Sequence, residues 1–200
     1  REISPSDKPD AFITPPTLWN YYEINGKPIP GFGYGTYRMT VTGVDPGMPL
    51  AIKILPQSTA YELYIDDVKL AANGAVSETK DGSEPGYLPR TVAFTPWNGE
   101  FVITIHVSNY VFARGGMWDA PTLGTRAQIE KLDRFLLQRD LFMVGCYSIC
   151  FLMFLVIFTS RPSSRSWLYF GLLCVGTMAR ILIYGSHLLT QYTENYWFIT

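Results

Sequence analysis

Leu141 to Phe158 is an unbroken run of uncharged residues, LFMVGCYSICFLMFLVIF, and it constrains this chain more than any other feature. As a helix rising 1.5 Å per residue it would reach about 27 Å, close to the roughly 30 Å hydrocarbon thickness of a bilayer. Soluble core helices normally keep a polar face and this run has none, so a pair of soluble helices is the weaker reading. A second apolar stretch extends from Trp167 to about Leu189, after the polar loop TSRPSSR, Thr159 to Arg165, whose proline stops the first helix. Trp167, Tyr169, Tyr192, Tyr196 and Trp197 stand near the ends of that stretch, where interfacial aromatics collect. The expected result is two membrane-spanning helices.

The charges are sorted to match. Nearly all lie before Asp140, and beyond Phe158 only Arg161, Arg165, Arg180, His187 and Glu194 interrupt the apolar pattern. With 16 Lys and Arg against 17 Asp and Glu, and no basic cluster to neutralise phosphates, nucleic acid is excluded as the main partner. Cys146, Cys150 and Cys174 lie in the apolar part without metal-ligand spacing to a His. They read as small buried hydrophobes, and neither a metal nor a cofactor is expected. The first 139 residues contain no Cys, which fits an exported domain without disulfides. The chain starts at Arg1 with no apolar N-terminal stretch, so a signal peptide has been removed or the sequence is a fragment.

Before about Leu123 the pattern has a period of two. Tyr37, Met39 and Val41 face one way and Thr36, Arg38 and Thr40 the other. The same alternation sets Leu50, Ile52 and Ile54 against Ala51, Lys53 and Leu55, and Tyr61, Leu63 and Ile65 against Glu62 and Tyr64. It also sets Phe101, Ile103, Ile105 and Val107 against Val102, Thr104 and His106. These are half-buried antiparallel strands. Asn25-Gly26, Asn73-Gly74, Asp81-Gly82 and Asn98-Gly99 supply positive-φ turn chemistry, and prolines fall mainly between the runs. The segment 1–124 is therefore expected to form an all-β sandwich of the jelly-roll kind.

From about Thr125 the period lengthens. Ile129, Leu132, Phe135 and Leu136 recur at helical spacing among charged residues, and neither Pro nor Gly separates them from Leu141. A stalk helix, 125–140, thus continues into the first span, and 141–200 forms the first two transmembrane helices of a larger bundle.

Arg180 is the odd residue of the second span. On a helix it shares a face with Gly176, Thr177, Ile183, Tyr184 and His187, across from the lipid-like Val175, Met178, Leu182 and Leu189. Its insertion cost of about 3 kcal/mol is offset by about ten aliphatic and Met residues at about −0.5 kcal/mol each. The guanidinium still needs partners, and Leu141 to Phe158 holds no carboxylate, only Tyr147, Ser148 and backbone. Two readings stay open: it snorkels to the nearer interface, or Arg180 and Tyr184 contact further helices of a bundle. Charge counting does not orient the pair. Arg161 and Arg165 favour a cytoplasmic short loop, while Lys131, Arg134 and Arg139 flank the other end of the first span.

The segment WLYFGLLCVGTMARILIYGSHLL, after FLMFLVIFTSRPSSRSW, resembles the first two helices of the bacterial seven-transmembrane receptors with diverse intracellular signalling modules. That family places an arginine, aliphatics and a YG or TG pair in its second helix, here Arg180 to Gly185. GYGTYRMTV (Gly33 to Val41), AYELYIDDVKLAANGAV (Ala60 to Val76) and VSNYVFARGGMWDAPTLGT (Val107 to Thr125) are similar to the galactose-binding-like jelly roll that some members carry outside the membrane. Such modules usually turn a hairpin on VNG; here Ile65, Asp66 and Asp67 take that place. The resemblance covers nearly the whole chain, lacking five helices and an output domain. It implies a multi-pass cell-membrane protein with the sandwich outside and the Arg161/Arg165 loop inside. The implied function is bacterial signal transduction without catalysis. Its partners would be a small-molecule or carbohydrate ligand, membrane lipid, the remaining helices and a cytoplasmic output domain, with a homodimer as a further assembly. A membrane-tethered carbohydrate-binding or enzyme-accessory module is the alternative, and an enzyme the third.

No catalytic constellation stands out. His106 and His187 fall in different regions, and there is no P-loop, GxSxG or HExxH. GFGYG, Gly31 to Gly35, precedes a strand instead of the helix a phosphate loop requires. Asp66-Asp67 has calcium-type oxygens but reads first as a solvated hairpin, and Asp7, Asp10, Asp81 and Glu84 are scattered. Sugar recognition combines aromatic platforms with directed polar groups. The ligand-binding candidates are Tyr34 with Arg38, and Arg114, Trp118 and Asp119 in the late loop, with Asn109 and Trp97 behind them. Beside these stand plainer readings: a structural turn at Arg114 to Gly116, a core cap at Trp97, and an Arg38 ion pair with Glu62 or another acid.

Overall fold

The computed structural model describes residues 9–24, 26–160 and 165–185. The chain divides into two compact units, one ending at Arg126 and the other beginning at Ala127. The first contains strands β1 (Thr17–Leu18), β2 (Glu23–Ile24), β3 (Lys27–Pro28), β4 (Gly33–Thr42), β5 (Leu50–Ile54) and β6 (Ala60–Ile65). These are followed by β7 (Val68–Asn73), β8 (Arg90–Phe94), β9 (Glu100–Asn109), β10 (Gly116–Met117) and β11 (Thr122–Thr125). Helices α1 (Arg126–Ser160) and α2 (Ser166–Tyr184) complete the described elements. The expected turn residue Asn25, together with Asp7, Arg161, His187, Leu189, Tyr192, Glu194, Tyr196 and Trp197, lies outside the described residues.

Two antiparallel sheets face one another, one in the order β4-β9-β6-β7 and the other β11-β5-β8. Their shared core holds Phe101, Ile103, Ile105 and Val107 of β9, Tyr61, Leu63 and Ile65 of β6, and Leu50, Ile52 and Ile54 of β5. Phe94 and Phe101 meet edge to face across the sheets, with centroids 5.0 Å apart. All these inward residues are those expected from the period of two. Met39 is different. It pairs with Ile103 on the inward side, yet is 54% exposed, because β4 is the edge strand of its sheet among the described residues and its inner face is only partly covered by them.

The turns also depart in part from expectation. Gly26 and Gly74 take positive φ, and Gly74 has no room for a Cβ beside the Glu84 carbonyl. Gly82 and Gly99 do not; Gly82 closes a short 3-10 turn, Lys80–Gly82. Instead Asp66 and Asp67, at φ 47 and 65, form the two-residue turn joining β6 to β7. Asp66 is structural: its Oδ1 accepts the Val102 N–H at 2.8 Å, and its own N–H donates to the Val102 carbonyl at 3.0 Å. No cluster of three or more potential metal-ligating side chains occurs among the described residues.

In the second unit α1 is 35 residues long without a break, so the stalk and the first apolar run form one helix. It starts at Arg126, after β11, one residue later than expected. Thr159 and Ser160, read as loop, are still helical, with hydroxyls donating to the Val156 carbonyl at 2.8 and 2.9 Å. Both helices are long and apolar enough to cross a membrane. They pack antiparallel. Gly171 brings α2 against Phe151, Phe154 stacks on Trp167 and Phe170, and Ser148 Oγ lies 3.1 Å from Met178 Sδ. Met178 therefore faces α1, not lipid as the sequence suggests, because the small residues Gly171 and Cys174 on its side admit the close approach.

Burial places the cost of truncation. Phe101→Ala should destabilise the sandwich by about 3–5 kcal/mol, whereas Met39→Ala at the open edge should cost less than about 1 kcal/mol. Denaturant unfolding of the detergent-solubilised chain, followed by tryptophan fluorescence, measures both.

Candidate ligand-binding site

The strand registers gather several loops at one end of the sandwich. Gly33 pairs with Asn109, Thr17 with Met117, and Ser58 bridges to Gly116. The other end holds Gly43, Gly47, Pro96 and Gly99, and there Thr125 pairs with Leu50 and the Arg126 N–H donates to the Pro49 carbonyl at 3.1 Å. The late loop from Tyr110 to Asp119 thus lies at the end remote from the chain's exit into α1.

That loop is held by side chains that bond to its backbone. Asn109 is fully buried: its Nδ2 donates to the carbonyls of Gly31 and Phe112 at 2.8 and 2.7 Å, and its Oδ1 accepts the Phe112 N–H at 3.1 Å. Asn20 Oδ1 accepts the Gly115 N–H at 2.9 Å, and the buried Trp19 ring leaves no space for a Cβ on Gly115. The Met117 N–H donates to the Tyr37 hydroxyl at 3.1 Å. Gln57 Nε2 donates to the Asp119 carbonyl at 3.0 Å, and the Trp118 Nε1–H to the Pro56 carbonyl at 2.7 Å. Such a loop changes little on binding, which lowers the entropy cost of capturing a ligand.

Its outward side is apolar and aromatic. Tyr21, Phe32, Tyr34, Val111, Phe112 and Trp118 are all exposed at this end. Trp118 is 58% exposed although its N–H is pinned, so its ring can act as a fixed stacking surface. The guanidinium of Arg114 and the carboxylate of Asp119 have no hydrogen-bond partner among the described residues. Four of the five ligand-binding candidates, Tyr34, Arg114, Trp118 and Asp119, therefore share one end of the fold.

Arg38 does not join them. It sits four residues beyond Tyr34 on the outer face of β4, about 13 Å along the strand. The Glu62 pairing considered for it is occupied by Lys69 Nζ at 2.6 Å and the Tyr64 hydroxyl at 2.7 Å. Asn109 is a clamp, not a ligand contact. Trp97 neither joins the site nor caps the core. It is 92% exposed at the opposite end, beside a shallow hollow lined by Pro46, Gly47, Thr95 and Pro96. Trp19, Asn20 and Gln57, which position the loop, were missed in the sequence. Their importance comes from partners far away in the chain, and only the Gly115-Gly116 pair hinted at a close approach.

On the outer face of the four-stranded sheet, His106 behaves as the outward strand residue expected. Its Nδ1 lies 2.8 Å from Thr36 Oγ1 and its ring meets Tyr64 edge to face. Burial lowers its pKa, against the opposing pull of the Glu62 carboxylate. Burial raises the pKa of Glu62, but hydrogen bonds from Lys69 and Tyr64 outweigh it and the net shift is downward. Donating to Glu62 pushes the Tyr64 hydroxyl up to about 12.

In the second unit, Arg180 and Tyr184 are both exposed, on the side of α2 away from Gly171 and Met178. Ser148, considered as a partner for Arg180, bonds instead to the Val144 carbonyl at 2.8 Å. Asp140 is 5% exposed; its Oδ1 accepts from Arg139 Nε and Nη2 at 3.0 and 2.8 Å, and its Oδ2 packs on Gly185.

No protein-family profile matches the chain, and no curated protein is detectably similar to it. Solved structures with partial likeness include the FMN-binding beta-glucuronidase of Facaelibacterium prausnitzii L2-6, 18% identical over 59% of this chain and 19% of that one, with a TM-score of 0.42. The Bacteroides uniformis beta-glucuronidase is 17% identical over 56% of this chain and 14% of its own, with a TM-score of 0.40. The Dictyoglomus thermophilum beta-D-glucuronidase is 15% identical over 55% and 18%, also at 0.40. The chain spans less than a fifth of the length of each.

Two outcomes test this geometry. Asn109→Ala, which removes the side-chain donor to the Gly31 and Phe112 carbonyls, should destabilise the sandwich by roughly 1–3 kcal/mol and accelerate amide hydrogen exchange across the Tyr110 to Asp119 loop. His106 titrates below its ordinary value when folded, so its stability contribution is complete above about pH 6.5 and is lost as the pH falls through the folded-state pKa. The melting midpoint should drop between pH 7 and 5, and His106→Gln should flatten that drop.

Proposed function

We propose that this chain is the sensing and membrane-entry part of a bacterial receptor. Its sandwich, read as a galactose-binding-like jelly roll, lies outside the cytoplasmic membrane. The loop end carrying Tyr34, Arg114, Trp118 and Asp119 binds a small ligand, a saccharide being the class its aromatic and directed polar groups suit best. The observation that supports transmission is the direct continuation of β11, paired along its length with β5, into the 35-residue α1. A ligand that favours one of two positions of that strand would bias the helix it leads into. α1 and α2 cross the membrane, the Arg161/Arg165 side of the hairpin is cytoplasmic, and further helices and an output domain receive the signal. The function is binding and transmission, with no catalytic step.

The experiment is a glycan screen on the full chain in lipid nanodiscs, read by calorimetry. A binder should be found, and Trp118→Ala should weaken it by roughly 1–3 kcal/mol, as for an aromatic anchor, with a fall in the melting midpoint no larger than loss of its single hydrogen bond to Pro56 explains. Trp97→Ala should leave the affinity unchanged. A broad panel with no binder, or a loss at Trp97 with none at Trp118, would overturn the saccharide site.

A further inference from the structure

The packing of α1 and α2 fixes where Arg180 stands. Asp140 lies against Gly185, Ser148 against Met178 and Phe151 against Gly171, so Arg180 is level with about Gly145. It is therefore only about 7.5 Å along the axis from the end of the apolar run that Asp140 marks, and a snorkelling arginine side chain covers that distance. Its direction matters as much as its depth. Counted at 100° per residue from the line of contact, Arg139 lies about 115° round α1, and Arg180 and Tyr184 lie about 140° and 100° round α2. Because the helices are antiparallel, these offsets fall on the same side of the pair.

One side of the hairpin thus presents two guanidiniums and a phenol at a single membrane boundary. Arg139 spends Nε and Nη2 on Asp140, which orients it and cancels its charge while Nη1 has no partner among the described residues. Arg180 makes no hydrogen bond or ion pair with any described residue and carries the net charge of the cluster. Tyr184 is exposed, an interfacial aromatic with a hydroxyl to donate. We propose that Arg139, Arg180 and Tyr184 hold the phosphate of an anionic phospholipid headgroup on the side of the membrane where α1 enters. Planar guanidinium groups bind phosphate oxygens by paired hydrogen bonds, and the low dielectric at the boundary strengthens them.

This inference rests on the reading of α1 and α2 as membrane spans, so insertion is checked first: resistance to alkaline carbonate extraction must hold for wild type and variants alike, and failure there sinks the spanning reading itself. The chain is then placed in nanodiscs of phosphatidylcholine with or without phosphatidylglycerol. Native mass spectrometry should show phosphatidylglycerol retained about five-fold over phosphatidylcholine, with a higher melting midpoint in the anionic discs. Arg180→Gln and Arg139→Gln should each abolish the preference, Arg180→Lys should keep part of it, and excess inorganic phosphate should not compete. Equal retention by wild type and both Gln variants would overturn the site, and competition by inorganic phosphate would assign it to a free anion. If Arg180→Gln lowers the midpoint equally in both kinds of disc, the partner is a protein group such as a carboxylate on another helix, and the lipid assignment fails.

Discussion

The sandwich depends on β9 being paired on both edges. It bonds β4 on one side and β6 on the other, and its inward residues Phe101, Ile103, Ile105 and Val107 form the middle of the core. A slip of one residue would turn all four to solvent and bring Val102, Thr104 and His106 inward, so burial holds the register. With that register held, Asn109 must fall opposite Gly33 and Glu100 opposite Thr42. The two ends of the domain, one with the late loop and one with the exit to α1, follow from it.

The late loop shows how a surface segment becomes rigid without secondary structure of its own. Asn109, Asn20 and Gln57 use amide side chains to satisfy backbone groups that a sheet would otherwise pair. Trp19 fills the space left by two glycines. With the backbone held from behind, Val111, Phe112 and Trp118 of the loop stay exposed, and Tyr21, Phe32 and Tyr34 are exposed at the same end. A soluble surface carries an apolar patch of that kind at the cost of solubility, and binding is the usual compensation.

In the helical unit the same economy of small residues operates. Gly171 and Gly185 let α2 approach α1, and the second contact seats the buried Asp140 carboxylate just before the apolar run. That carboxylate holds Arg139 in place. The exposed Arg180, level with about Gly145, is the second guanidinium of the proposed headgroup site. The stalk, the first apolar run and the charges that end it are thus parts of one continuous helix and its close neighbour.

The strands of the core, the unbroken α1 and two helices long and apolar enough to cross a membrane were legible in the sequence because period two, period 3.6 and missing charge are local properties of the chain. The four candidates at the loop end were legible as residue types suited to a ligand. Their gathering there, and the separation of Arg38 and Trp97 from them, was not. Met39 is exposed because β4 is the edge strand among the described residues, and Met178 faces α1 because Gly171 lets it. Asn109 turned out to be a clamp because Gly31, 78 residues earlier, sits beside it. Alternation states which face of a strand is inward, but strand order decides whether anything covers that face. Helical spacing states which residues share a side, but only the packing partner decides whether that side meets protein or lipid.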